Sequence, residues 1–296
     1  MEIPTWPAIR QLDIGDKSIL DTIFAQLQPR VSELTFAGLY LFRRAHDYHL
    51  TRQGDTVVLL GKGYDGRNNF LPPLGGNVTA ALDEMFRNGH ELYGADEAFV
   101  AHYLAETGLE IAEERDSFDY LYLREELATL PGNRFHKKKN RINYFTTRHS
   151  FEATIFTPHY RCGCLQLLDT WYRMAEHAEN TSLDLELEAT AEAISTASEL
   201  GLEGVVVTVD GEVKAFALGE RLNRETAVCH FEKADPFMEG LSQLVNREFS
   251  RLMFTDCRYI NREQDLGEPG LRSAKLSYHP VELIKKYRVH PHPRQK

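Results

Sequence analysis

Cysteine is scarce and scattered. Cys162, Cys164, Cys229 and Cys257 are all there is in 296 residues. Four are too few for a disulfide framework in a chain this long, and their spacing matches no standard zinc pattern, so reduced thiols are expected. "HYRCGC" sets His159 near Cys162 and Cys164, but a C-x-C without a second paired cluster falls short of a metal site, and no metal is expected. No apolar run approaches the roughly 18 residues a membrane span needs. The opening "MEIPTWPAIRQLD" has no basic stretch followed by an apolar one, so a cytoplasmic location is expected. Low-complexity tracts are missing, and disorder is expected only in the tail "RVHPHPRQK". Positive charge is outnumbered: the net charge of −10 argues against a surface that grips nucleic acid all over, while leaving room for a local basic face.

What is present is ordinary globular material, 42% hydrophobic and 26% charged. The length is about twice that of a usual domain, which predicts two of similar size, cut at 1–157 and 158–296. A repeated sketch points the same way. "REELATLPGNRFHK" (124–137) and "REQDLGEPGLRSAK" (262–275) share six identities in fourteen positions at an offset of 138, where chance gives roughly one. Tandem duplication is the simplest explanation.

Patterning mixes helix and strand throughout. "SILDTIFAQLQPRVSEL" has helical periodicity, with Asp16 or Ser18 helping its start. "YHLTRQGDTVVLLGKGYDG" reads as a hairpin, and a helix runs from Asn77 to Gly89. Strand "ELYGAD", helix "EAFVAHYLAETG" and strand "FDYLYLRE" follow. "TTRHSFEATIFTPHYRCG" is expected to supply the last strand of the first domain and the linker. The second half reads ααβββαβαβ: helices "LQLLDTWYRMAEHA" and "DLELEATAEAISTASELG", a hairpin turning at Asp210-Gly211, strand "ETAVCHFEKAD", helix "GLSQLVNREFSRLMF", strand "CRYIN", a turn with a short helix, and a single last strand "VELIKKYRV".

The second repeated window carries the candidate chemistry. On a strand, Asn261, Glu263 and Asp265 share a face. Gly267, Pro269 and Gly270 then break the chain, and Arg272 and Lys275 fall three apart on the helix that follows. Carboxylates beside two cations can deprotonate an amine or hydroxyl while the cations hold a phosphate or an oxyanion, and the four are expected to converge on one open pocket. A surface ion pair between Glu263 or Asp265 and Arg272 is the competing reading. His230 and Glu232, two apart on a strand, would share a face and could reach the same cleft. "NRFHKKKNR" supplies a local basic segment, with Lys137, Lys138, Lys139, Asn140 and Arg141 on one helix, read either as a landing place for an anionic partner or as a solvated face. Phe135 and Tyr144 flank it as stacking or core residues.

"INREQDLGEPGLRSAKLSYHPVELIKKY" resembles the C-terminal signature of the phosphatidylglycerol lysyltransferase C-terminal family, through Gly270, Leu271, Arg272, Lys275, Tyr278, Pro280 and Tyr287. "DYLYLREELATLPGNRFHKKKNRINYF" is similar to a segment of its stand-alone relatives, through Tyr120, Tyr122, Leu127, Leu130, Gly132, Lys138, Lys139, Asn140, Asn143 and Phe145. The resemblance implies an α/β (α+β) chain of two tandem GNAT-like acyltransferase domains, each a mixed central sheet flanked by helices. It also implies aminoacyl transfer from a charged tRNA to an amine or hydroxyl of a lipid, peptide or small molecule. Glu263, Asp265, Arg272 and Lys275 would be catalytic. Asn261, His230, Glu232, Tyr278 and Lys137 to Arg141 would bind substrate. Coenzyme-A-dependent members carry a Gly-rich loop before the helix that follows the fourth strand. Here that place reads "KADPFMEGLSQ", so acyl-CoA is the less favoured donor, aminoacyl-tRNA is expected as co-substrate, and no bound cofactor is expected. A silent GNAT-like domain that binds an anionic ligand or RNA is the third reading.

Overall fold

The computed structural model describes residues 2–63, 66–175 and 181–291. Along the chain run β1 (Arg10–Gln11), α1 (Lys17–Leu27), α2 (Phe36–Leu41), β2 (His49–Gln53), β3 (Thr56–Lys62), β4 (Asn68–Phe70), α3 (Val78–Arg87), β5 (Glu91–Asp96), α4 (Glu97–Tyr103) and β6 (Glu110–Glu113). Next come β7 (Asp119–Leu123), α5 (Arg124–Thr129), α6 (His136–Thr146), β8 (Phe151–Ile155), α7 (Arg161–Ala175), α8 (Thr181–Leu200), β9 (Glu203–Val209) and β10 (Glu212–Arg221). The chain closes with β11 (Thr226–Ala234), α9 (Leu241–Leu252), β12 (Tyr259–Asn261), α10 (Pro269–Leu276), β13 (Glu282–Ile284) and β14 (Lys286–His290). Local signals account for most of these. Asn77 caps α3 by accepting from Ala80 N. The hairpin β9–β10 turns at Asp210 and Gly211, both at positive φ.

The chain forms two compact units, each with a seven-stranded mixed sheet. Sheet orders are β1-β2-β3-β4-β5-β14-β6 and β13-β7-β12-β11-β10-β9-β8. Neither unit is a contiguous stretch. The first comprises 1–119, 264–272 and 283–296, and the second 120–263 and 273–282. The contiguous cut expected near residue 157 is therefore replaced by an exchange of strands. β7, from the first half of the chain, lies antiparallel to β12, and β14, from the C-terminal end, lies antiparallel to β5. "VELIKKYRV" is accordingly two strands in two sheets, and β8 is the edge of the second sheet, paired with β9, instead of the last strand of the first. The repeated windows follow non-equivalent strands, since 124–137 succeeds β7 and 262–275 succeeds β12, so their likeness does not map one unit onto the other.

In the first unit α3 packs Val78, Ala81, Leu82 and Met85 against Val58, Leu60, Phe70, Leu92 and Val289. β14 is pinned by charge as well. Fully buried Lys286 donates to Glu33 Oε1 (2.7 Å) and Asp119 Oδ1 (2.7 Å), and Asp119 also accepts from Ser32. Burial works against the ammonium, but Asp119 and Glu33 outweigh it and hold its pKa above the ordinary lysine value. Arg288, Val289 and His290 belong to this strand rather than to a disordered tail; residues 292–296 lie outside the described residues. So does the end of the expected helix "LQLLDTWYRMAEHA". In the second unit β9, β10 and β11 are buried almost end to end, with α9 packed on all three and α7 on β10.

Candidate functional site

The second sheet opens where β11 leaves β12. These parallel strands pair only at Thr226↔Tyr259, Ala227↔Ile260 and Val228↔Asn261, after which β11 continues for six residues beside β10. On the β10 side the register jumps from Leu218↔Phe231 to Gly219↔Cys229, which leaves His230 as the extra residue of a β-bulge. Glycine is required opposite it: a Cβ on Gly219 would collide with the Val228 carbonyl oxygen and crowd Phe249.

The bulge aims His230 between two carboxylates. Its Nδ1 donates to Glu263 Oε1 (2.7 Å) and its Nε2 to Glu220 Oε1 (2.9 Å), with the imidazole almost completely buried. Burial opposes the charged ring, but Glu263 and then Glu220 outweigh it and hold the pKa up at about 10, so His230 is an imidazolium at neutral pH. Glu263 reaches it because β12 stops. Asn261 Oδ1 accepts from Glu263 N (2.8 Å), and Glu263 adopts a left-handed φ of 55°. Its Oε2 has no hydrogen-bond partner among the described residues, and its side chain is 24% exposed.

Adjacent groups are cationic and aromatic. Arg262 pairs with Glu232 (3.1 Å) and lies over the rings of Tyr278 and Tyr122. Lys138 of α6 stands 4.0 Å from the Tyr278 ring centroid and donates to Ser277 Oγ. Burial first, then the charges of Arg262 and Arg141, bring its pKa down to about 8. From α9, Asn246 donates to Glu232 Oε2 (2.9 Å). Its own Oδ1, and Oε1 of Gln243 one turn earlier, are buried acceptors without a partner among the described residues.

The other expected residues are divided. Asp265 is fully buried in the first unit, where it accepts from Arg272 Nε (2.9 Å) and Nη2 (2.7 Å), Arg115 Nη1 (3.1 Å) and Gly267 N (2.9 Å), while Arg272 also reaches Asp116. Lys275 is buried in the second, its Nζ donating to the carbonyl oxygens of Arg262 (2.5 Å) and Glu263 (3.1 Å). Glu263, Asp265, Arg272 and Lys275 therefore do not converge on one constellation. The strand alternation that would have aligned the two acids ends at Asn261, and the positive φ at Glu263 turns the chain before it reaches Asp265. His230 and Glu232 take separate partners, although both belong to the second unit. Of the basic segment, Lys138 joins this cluster, Lys139 donates to the Gly132 carbonyl and Arg141 pairs with Glu239. Lys137 and Asn140 are exposed, Asn140 bonding His136. Phe135 is core and Tyr144 is exposed under Arg148. Glu220, Asn246 and Gln243 were missed, because only the bulge and the packing of α9 bring them in. Among the described residues no group of His, Cys, Asp and Glu could hold a metal ion.

The sequence pattern of the phosphatidylglycerol lysyltransferase C-terminal family matches residues 24–290. The chain belongs to that family. A conserved protein of unknown function from Bacteroides thetaiotaomicron is 30% identical, with a TM-score of 0.87 over 96% of this chain and 99% of that one. L-PGS from Bacillus licheniformis superposes with a TM-score of 0.65 at 15% identity, over 100% and 96% of the two chains. FemX gives 0.57 at 8% identity over 95% and 96%. These last two show the fold, two tandem GNAT-like units. An uncharacterized protein of Mycoplasmoides gallisepticum is 25% identical over 185 residues, which span 61% of this chain and 58% of that protein. Membership supports a function of the acyl- or aminoacyltransferase type. No described helix is long and apolar enough to cross a membrane.

Proposed function

We propose that this family member transfers an aminoacyl group from a charged tRNA to an amine or hydroxyl acceptor, with the reaction centred on Glu263 in the opening between β11 and β12. The observation that carries the reading is Glu263 itself, a partly exposed carboxylate held through one oxygen by an imidazolium and without a hydrogen-bond partner among the described residues at the other. In the step, the acceptor's nucleophilic atom bonds to the ester carbonyl carbon and gives its proton to Glu263 Oε2. The bond to the tRNA 3′ oxygen breaks, and that oxygen takes the same proton back from Glu263 as it leaves, which restores the carboxylate. Arg262 and Lys138, set against one tyrosine ring, would hold phosphate or oxyanion charge. His230 and Lys275 act as positioning residues, the first through the carboxylate and the second through the Arg262–Glu263 backbone.

Two features favour an aminoacyl over an acetyl donor. The orphaned acceptors of Asn246 and Gln243 suit an N–H donor such as an α-ammonium group. At the start of α9, where a coenzyme A pyrophosphate would need free amides, the Arg141 carbonyl of α6 packs so closely on Gly240 that any Cβ would collide with it. The test is transfer of radiolabel from a mixed aminoacyl-tRNA pool into lipid, peptide or small-amine fractions by the full chain. Glu263→Gln is expected to lower the rate by about 10²–10⁴-fold with the fold intact. No transfer to any fraction would sink the reading, and tRNA binding that survives without transfer would favour a silent binding domain instead.

A further inference from the structure

On the other flank of α9, facing away from Asn246, lies a cavity of about 450 Å³ lined by Ala128, Thr129, Phe151, Ala153, Arg247, Glu248 and Arg251. Its walls are α5, α9 and the edge strand β8, all in the second unit. The volume is in the range of small-molecule sites. The charge in its wall is organised. Glu248, with its side chain 2% exposed, accepts at Oε1 from Arg247 Nε (2.9 Å) and Nη2 (2.8 Å), and at Oε2 from Arg251 Nε (2.8 Å) and Nη2 (2.6 Å). One buried carboxylate thus fixes two guanidinium planes one helical turn apart. Neutralising Glu248 needs a single arginine, so the second leaves a net positive charge at a concave surface. Both Nη1 groups lack a hydrogen-bond partner among the described residues. The rest of the lining is Ala128, Phe151, Ala153 and Thr129, whose hydroxyl donates to the Glu125 carbonyl, so this part of the wall is mainly apolar.

We propose that this cavity binds a small organic anion, its carboxylate or phosphate head on the Nη1 groups of Arg247 and Arg251 and its apolar body against Ala128, Phe151 and Ala153. Glu248 serves as the positioning residue that removes rotamer freedom from both arginines before the ligand arrives. The site does not depend on the transferase reading, since none of its residues belongs to the Glu263 cluster. Its ligand could be a second substrate or an effector, and the chemistry is the same for both.

Calorimetric titration of the full chain with benzoate, phenyl phosphate, inorganic phosphate and neutral benzyl alcohol tests it. At least one of the aromatic anions is expected to saturate, with benzyl alcohol and inorganic phosphate at least about tenfold weaker; the better of benzoate and phenyl phosphate identifies the head group. Arg251→Gln, at a half-exposed position, should weaken that binding by at least about tenfold. Ala153→Leu keeps both arginines but fills the apolar wall, and should abolish it. Thermal melts verify that each variant folds. The proposal is overturned if neither aromatic anion saturates below about 10 mM, if the alcohol binds as well as they do, or if both variants bind like the parent.

Discussion

His230 is the residue on which the site's electrostatics turn, and its protonation has a measurable signature. In the unfolded chain its pKa lies near 6.5, and in the fold it is held at about 10, so between those values the folded protein binds one proton more. The stability it contributes is complete below pH 6.5 and is lost as the pH rises through 10. Urea denaturation of the parent should show stability falling by about 2 kcal/mol between pH 6.5 and 8, a slope that His230→Gln abolishes. Lys138 is displaced the other way, to about 8, which adds stability as the pH rises above that point, so the histidine slope is cleanest between 6.5 and 8. In a ¹³C NMR titration of reductively methylated protein, Lys138 should have a midpoint near 8, against about 10.4 for solvent lysines. A midpoint above 10 would remove it from the cluster. The cysteines are divided at this scale by burial, which raises the thiol pKa of Cys164 to about 12 and that of Cys229 further still, while Cys162 is exposed.

Elements are placed by what flanks them more than by their own pattern. α9 and β11 have periodicities that sequence alone recognises, but the bulge at His230 exists only because Gly219 on β10 lets the Val228 carbonyl approach. β14 is the clearest case of charge locating a strand. Its buried Lys286 is shared by Glu33 and Asp119, which come from a loop and the start of β7. Lys286→Met would leave two carboxylates without their cation, and a loss of about 3–5 kcal/mol is expected in urea denaturation. A change under 1 kcal/mol would mean that the apolar contacts of Val289 are enough to hold the strand.

At the scale of the whole molecule, the exchange of β7 and β14 makes the chain indivisible at the place where its length suggests a cut. A 1–157 fragment retains β1 to β6 but lacks β14, which lies between β5 and β6 in the first sheet. It is expected to give an expanded, weakly protected amide spectrum, whereas the full chain gives a dispersed one; a well-folded fragment would refute the exchange. Sequence by itself determined the class of fold, most helices and hairpins and the family, because periodicity, capping residues, turn glycines and short motifs are local. It also picked out His230, Glu232, Glu263 and Lys138. Only the tertiary structure decided that Asp265 and Arg272 close a buried clamp while Glu263 turns to His230, and that one apparent last strand serves two sheets. The physical reason is that a side chain's partner depends on backbone direction. Here that direction is set by left-handed residues, a bulge and strand exchange, none of which leaves a periodic trace in the chain.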